Sequence, residues 1–273
     1  MANLLESDDY LISLVLLLFL LINFNLELGT IYAIMAIIDW VSYYIAIDSN
    51  AFKPIPIERA RYGRYTSLVW SMGAYVMFIF VAGFITSKFS GAVTGSGFER
   101  ISQLVASTFS ATPILYGSTY LKLAVWGLLI PLIETRAFFR TGLQWGLHAA
   151  KVSLPDNIFN VKAIVIAAVY GALFSVFHIV AKGITNNSSL LVTFVFGFVS
   201  VLMVIHFKEV TQAIFLHILT NSIATMQQLG IGFFGATPGF NISGVIITAA
   251  LMLAAWVILF QEIPLVKTQG VLA

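Results

Sequence analysis

The chain has 273 residues, of which 59% are hydrophobic and only 10% charged, and its mean hydropathy is +0.95. Soluble domains carry about 25% charged residues, so this composition excludes an ordinary soluble globule and predicts an all-α, polytopic integral membrane bundle of about eight transmembrane helices, each near the ~20 residues needed to cross the hydrocarbon. A net charge of +2 gives no footing for nucleic acid, and the absence of cysteine excludes disulfides, thiolate metal ligands and a cysteine nucleophile.

The N-terminal MANLLESDDY lacks the basic stretch and small-residue cleavage site of a signal peptide, so no removed segment is expected. Apolar runs follow over Tyr10–Phe24 and Leu28–Ile47, either as two spans or as one long bent helix. The densest basic loop comes next, with Lys53, Arg59, Arg61 and Arg64, and the positive-inside rule places it in the cytoplasm. A third span covers Ser67–Ser87. The Gly/Ser/Thr-rich stretch from Lys88 to Pro113 contains a short amphipathic piece suited to a surface or re-entrant segment. The fourth helix, from Tyr116 towards His148, is too long for a simple crossing and is expected to project into the cytoplasm. Further spans are predicted over Phe159–Ala181, Leu190–Phe207, Glu209–Met226 and Val245–Phe260. This even number of crossings puts both termini in the cytoplasm. The three N-x-S sequons, at Asn186, Asn187 and Asn241, then face outward, as glycosylation sites or as chance matches in polar loops. No repeat or second soluble domain interrupts the single membrane domain, 1–273.

Ionisable groups inside spans cost at least about 2.5–3.5 kcal/mol on insertion scales, so they face the protein interior and mark function. Six polar residues stand out: Asp39, Lys122, Glu134, His178, His217 and Asn221. Asp39, beside Trp40, reads as an interfacial anchor, and Lys122 as a snorkelling side chain. His148 and His206 sit at span ends and read as interfacial. Glu134, His178, His217 and Asn221 come from three different helices, and His217 and Asn221 share one helix face because four residues make about 1.1 turns. One carboxylate, two imidazoles and an amide suit general-base activation of water with stabilisation of an oxyanion. Zinc held by Glu134, His178 and His217 is the minor alternative, and no metal is the preferred reading. On chemistry alone a hydrolase, a structural polar core and a proton or solute relay all remain open, although no repeat or broken-helix pair supports transport. The four residues are expected to converge on one polar cavity, since separate exposure to lipid would cost several kcal/mol.

Three motifs carry a family resemblance. "PLIETRAFFRTG" is similar to an E-E-x-x-x-R motif led by Glu134, "FSVFH" (Phe174 to His178) fits F-x-x-x-H, and "HILTN" (His217 to Asn221) fits H-x-x-x-N. Together they resemble the CAAX protease and bacteriocin-processing (CPBP, or Abi) family of intramembrane glutamic endopeptidases. The resemblance covers 115–226 as a catalytic core, leaving 1–114 as N-terminal helices without a recognised motif and 227–273 as a C-terminal loop and last helix. Two departures stand in the first motif. Thr135 replaces the second glutamate, and Arg140 comes one position late, a rotation of about 100° on a helix. Arg136 is an alternative for the arginine, and a local π-bulge is another way to accommodate the shift.

The resemblance implies an endopeptidase in which Glu134 activates water, His178 helps to position it, and His217 and Asn221 polarise the scissile carbonyl, with Arg136, Arg140 and Phe174 positioning substrate. It implies membrane lipid as the surroundings and a peptide or protein C-terminus, prenylated in some members, as substrate. Other members of the family serve as scaffolds for a membrane protein partner, which is the alternative reading.

Overall fold

In the computed structural model, the residues described are 26–49, 51, 55, 69–70, 72–78, 119–184, 187–228 and 246. The first predicted span, the basic side chains of the 53–64 loop, the 88–113 stretch and nearly all of the last span lie outside them. Among the described residues the regular structure is entirely helical, without a strand. Helix α1 is Leu26–Asp48. Helix α2 is one continuous rod of five stretches, Thr119–Ala124, Val125–Leu129, Ile130–Thr135, Arg136–Gly142 and Leu143–Ala149, the second and fourth of which are π-helical. Helices α3, α4 and α5 are Val161–Lys182, Asn187–Phe207 and Thr211–Gln228. Residues 69–70 and 72–78, inside the predicted third span, are helical too.

Among the described residues three helices, α1, α3 and α4, are long and apolar enough to cross a membrane. Their burial follows an inside-out pattern. Polar-rich α5 is buried at every position from Thr211 to Ser222, including Gln212, His217, Thr220 and Asn221. Apolar α3 exposes Ile164, Val165, Val169, Leu173, Val176 and Val180, and α1 exposes Ile34, Ile37, Ile38, Val41 and Ile45. Apolar patches this broad are unusual on soluble monomers.

Helix α3 has clear sequence punctuation. The Asn160 side chain caps its start by accepting from the Lys162 N–H at 2.9 Å. Gly183 ends it in the left-handed region at φ 64°, where its N–H bonds the Ile179 carbonyl. The buried stripe runs through Ala163, Ala167, Gly171, Phe174, His178 and Lys182, at helical spacing. Its small residues bring α3 and α4 into backbone contact. A Cβ on Gly171 would lie 2.7 Å from the Phe194 carbonyl oxygen, and one on Gly197 would lie 3.0 Å from Gly171 Cα. Neither obstacle is a movable side-chain tip, so Gly171→Val must push the helices apart. We expect it to destabilise the fold by about 1–3 kcal/mol, read as a lower Tm in detergent.

One expectation changes at α1. Asp39, read as an interfacial anchor, is buried at 5% exposure. The reason is its register: Tyr32, Ala36 and Asp39 fall on one inward stripe, and all three are buried.

Candidate active site

The site begins with a proline. Pro131 stands inside α2 and has no N–H to offer the carbonyl of Gly127, four residues back. In the preceding π stretch the Ile130 N–H bonds the Val125 carbonyl, five residues back, and so passes over Trp126. Both carbonyls are served from α5 instead. Asn221 Nδ2 donates to Trp126 O at 3.2 Å, and Ser222 Oγ donates to Gly127 O at 3.3 Å. The broken ladder of α2 therefore fixes the rotation of α5, and with it the direction of His217 one turn earlier. A buried carbonyl left unpaired costs about 1–3 kcal/mol. Ser222→Ala should cost that much in the native chain and almost nothing on a Pro131→Ala background, where residue 131 regains its N–H. A double-mutant cycle on unfolding free energies checks this coupling.

One turn past the proline, Glu134 is completely buried. Its Oε1 takes the Lys182 Nζ of α3 at 2.8 Å and a hydrogen bond from the Tyr32 hydroxyl of α1. His217 Nε2 of α5 stands 3.3 Å from Oε2, within ion-pair range but too poorly aligned for a hydrogen bond. Oε2 thus keeps a lone pair without a good donor. Four helices meet on one carboxylate.

The histidines are oriented by their other nitrogens. His178 Nδ1 lies 2.8 Å from the Phe174 carbonyl, which can only accept, so Nδ1 carries the proton. His178 Nε2 then accepts from Lys182 Nζ at 3.1 Å. Thr135 Oγ1 lies 2.9 Å from His217 Nδ1. In the tautomer that points Nε2–H at Glu134, the threonine hydroxyl is the donor. The residue in place of the motif's second glutamate therefore orients a histidine. Phe174 packs edge-on against both rings, with centroids 4.5 Å from His178 and 5.8 Å from His217.

His178, Lys182, Thr193, His217, Thr220 and Asn221 line a cavity together with the apolar Phe78, Phe174, Ile184, Val192 and Phe196. The cavity, about 30 Å³, has room for water. Glu134 lies one contact behind this wall, joined to it through Lys182 and His217.

Of the seven residues singled out from sequence, the structure brings together Glu134, His178, His217, Asn221 and Phe174. Arg140 goes elsewhere. Its Nε donates to the Ile55 carbonyl at 3.0 Å and its guanidinium sits 4.4 Å above the Tyr43 ring, tying α2 to α1. Arg136 is half-buried at the start of the second π stretch. That stretch, Arg136–Gly142, spans the one-residue register shift of the arginine. Two members of the cluster escaped the sequence reading: Tyr32 and Lys182. Lys182 lies four residues after His178 on the same stripe, and that spacing is the signal that could have found it. No metal-binding group of three or more His, Cys, Asp or Glu residues occurs among the described residues. The Lys182 ammonium stands between Glu134 Oε1, at 2.8 Å, and His178 Nε2, at 3.1 Å. Compared with protein-family models, with curated proteins and with solved structures, this chain matches none.

Proposed function

We propose that this chain is a multi-pass, membrane-embedded endopeptidase that hydrolyses a peptide bond with a water activated by Glu134, in the manner of the CPBP family its motifs resemble. The observation that carries the reading is the meeting of Glu134, His178, His217 and Asn221 beside a cavity large enough for water. Oε2 lacks a well-aligned donor and lies one contact behind the cavity wall, so a cavity water reaches it when the His217 and Lys182 side chains that separate them shift. The water oxygen bonds the scissile carbonyl carbon, its proton passes to Glu134, and the carbonyl electron pair moves onto oxygen. On collapse the carbonyl re-forms, the C–N bond breaks, and the departing nitrogen takes the proton from Glu134. The products are a new carboxyl terminus and a free amine. The apolar cavity walls favour an aliphatic side chain next to the bond, in a peptide or protein C-terminus presented from the lipid, prenylated or not.

A second reading has its own observation. The ion pair with Lys182 and the threonine at position 135 suit a non-catalytic scaffold of the same fold, in which Glu134 only clamps helices and a partner membrane protein is held. The test is a panel of lipid-anchored peptides, with and without a farnesyl group, offered to wild type and Glu134→Gln in proteoliposomes. Mass spectrometry should show new termini with wild type and none with Glu134→Gln. Cleavage by neither, or by both alike, would falsify the hydrolase reading.

A further inference from the structure

We infer that Lys182 is the electrophilic group of this site, the cation that holds the oxyanion of the tetrahedral intermediate. The inference rests on the hydrolase reading above and adds a residue that neither the motifs nor their resemblance supplies. Lys182 is buried, with its side chain 3% exposed, and lines the cavity. Its ammonium has three protons. One faces Glu134 Oε1 at 2.8 Å and one faces His178 Nε2 at 3.1 Å. Nζ also has the Trp126 ring at 5.6 Å, a distance that leaves the third proton able to turn to a group in the cavity.

Charge balance explains why a cation belongs there. In the resting site the Lys182 charge is neutralised by Glu134. When Glu134 takes the proton of the attacking water, its own negative charge disappears and an equal charge forms on the carbonyl oxygen. A lysine within reach of both oxygens stays paired throughout, so no unbalanced charge arises in a low-dielectric interior, where it is strongly disfavoured. His178 fits this scheme as a positioning residue: its Nδ1–H is fixed on Phe174 O, which leaves Nε2 to aim the ammonium. Asn221, with one donor already on Trp126 O, is the weaker partner of the oxyanion.

The rate test uses Lys182→Arg and Lys182→Gln in the full-length protein. Loss of an oxyanion donor lowers kcat by about 10²–10³-fold. Lys182→Gln should show that loss with KM little changed, and Lys182→Arg, which keeps the cation, should recover most of it. A merely structural ion pair would not produce that split between kcat and KM. The binding test uses a leucyl–leucine phosphinic pseudodipeptide, whose anionic phosphinate imitates the oxyanion, beside the uncharged acetyl-Leu-Leu amide. Glu134→Gln, which imitates the protonated base, should bind the phosphinate far more tightly than Glu134→Gln/Lys182→Gln. The neutral amide should not distinguish the two variants. Wild-type kcat in Lys182→Gln, or phosphinate binding that is equal or undetectable in both variants, overturns the inference. If wild type cleaves no peptide yet phosphinate still separates the variants, the hydrolase reading falls and Lys182 stands as an anion site. If Glu134→Gln does not hold its fold, wild type against the charge-balanced Glu134→Gln/Lys182→Gln decides: the phosphinate should bind the first far more tightly, and equal binding overturns the inference.

Discussion

Glu134→Gln should destabilise the fold by about 3–5 kcal/mol, and adding Lys182→Gln should restore most of the loss. Both side chains of the pair are almost fully buried, at 0% and 3% exposure, and face each other at 2.8 Å. Removing one member of such a pair leaves the other charge in the interior without its counter-ion, and this drives the cost to about 3–5 kcal/mol. Neutralising both removes the stranded charge and leaves two amides able to hydrogen-bond across the same gap. Replacing a whole buried pair with neutral groups is often neutral or even stabilising. The Tyr32 hydroxyl still finds an acceptor on the glutamine carbonyl oxygen. Thermal unfolding of the four members of the cycle in one detergent gives the coupling directly. Additive losses would mean that the two charges do not depend on one another.

Phe174→Ala should cost about 3–5 kcal/mol and should also loosen both histidines. Phe174 is 1% exposed, and its ring meets those of Phe138, Phe139 and Phe196 at centroid distances of 5.4, 5.1 and 5.6 Å. It also forms a wall of the cavity. Truncation removes the partner of five ring contacts at once and joins the new void to the existing space. Phe174→Leu should recover part of the stability but not the edge-on contacts with His178 and His217. Unfolding free energies measure the first effect, and histidine side-chain NMR linewidths the second. Phe174→Ala with wild-type stability would show that this aromatic layer does not hold the site together.

The legible parts of the sequence were those written as spacing. The apolar runs marked α1, α3, α4 and α5 to within a few residues, and the polar exceptions in the apolar runs of α2, α3 and α5 marked Glu134, His178, His217 and Asn221. The late arginine at position 140 left two readings open, Arg136 in its place or a local π-bulge, and α2 is π-helical over Arg136–Gly142. The first π stretch, over Val125–Leu129, had only Pro131 as its trace. Tyr32 and Lys182 were hidden for a physical reason. Near a span end, a tyrosine reads as part of an aromatic belt and a lysine as a snorkelling side chain. Only the tertiary meeting of α1 and α3 with Glu134 gives them another role. Arg140 illustrates the opposite failure: its motif position was readable, but its commitment to Ile55 and Tyr43 depends on how α1 packs.

A carboxylate that only clamps helices and one that also activates water give different answers in a charge-balanced protein. The decisive measurement is therefore the peptide-cleavage rate of Glu134→Gln/Lys182→Gln, made on protein whose Tm is close to that of wild type. With the ion pair removed symmetrically, loss of fold no longer accounts for loss of rate. General-base catalysis contributes about 10²–10⁴-fold and an oxyanion donor about 10²–10³-fold, so the double variant, which lacks both, should be slower than wild type by at least about 10⁴-fold while remaining folded. A folded double variant that cleaves at the wild-type rate would contradict the catalytic role of Glu134 and leave the ion pair as a clamp.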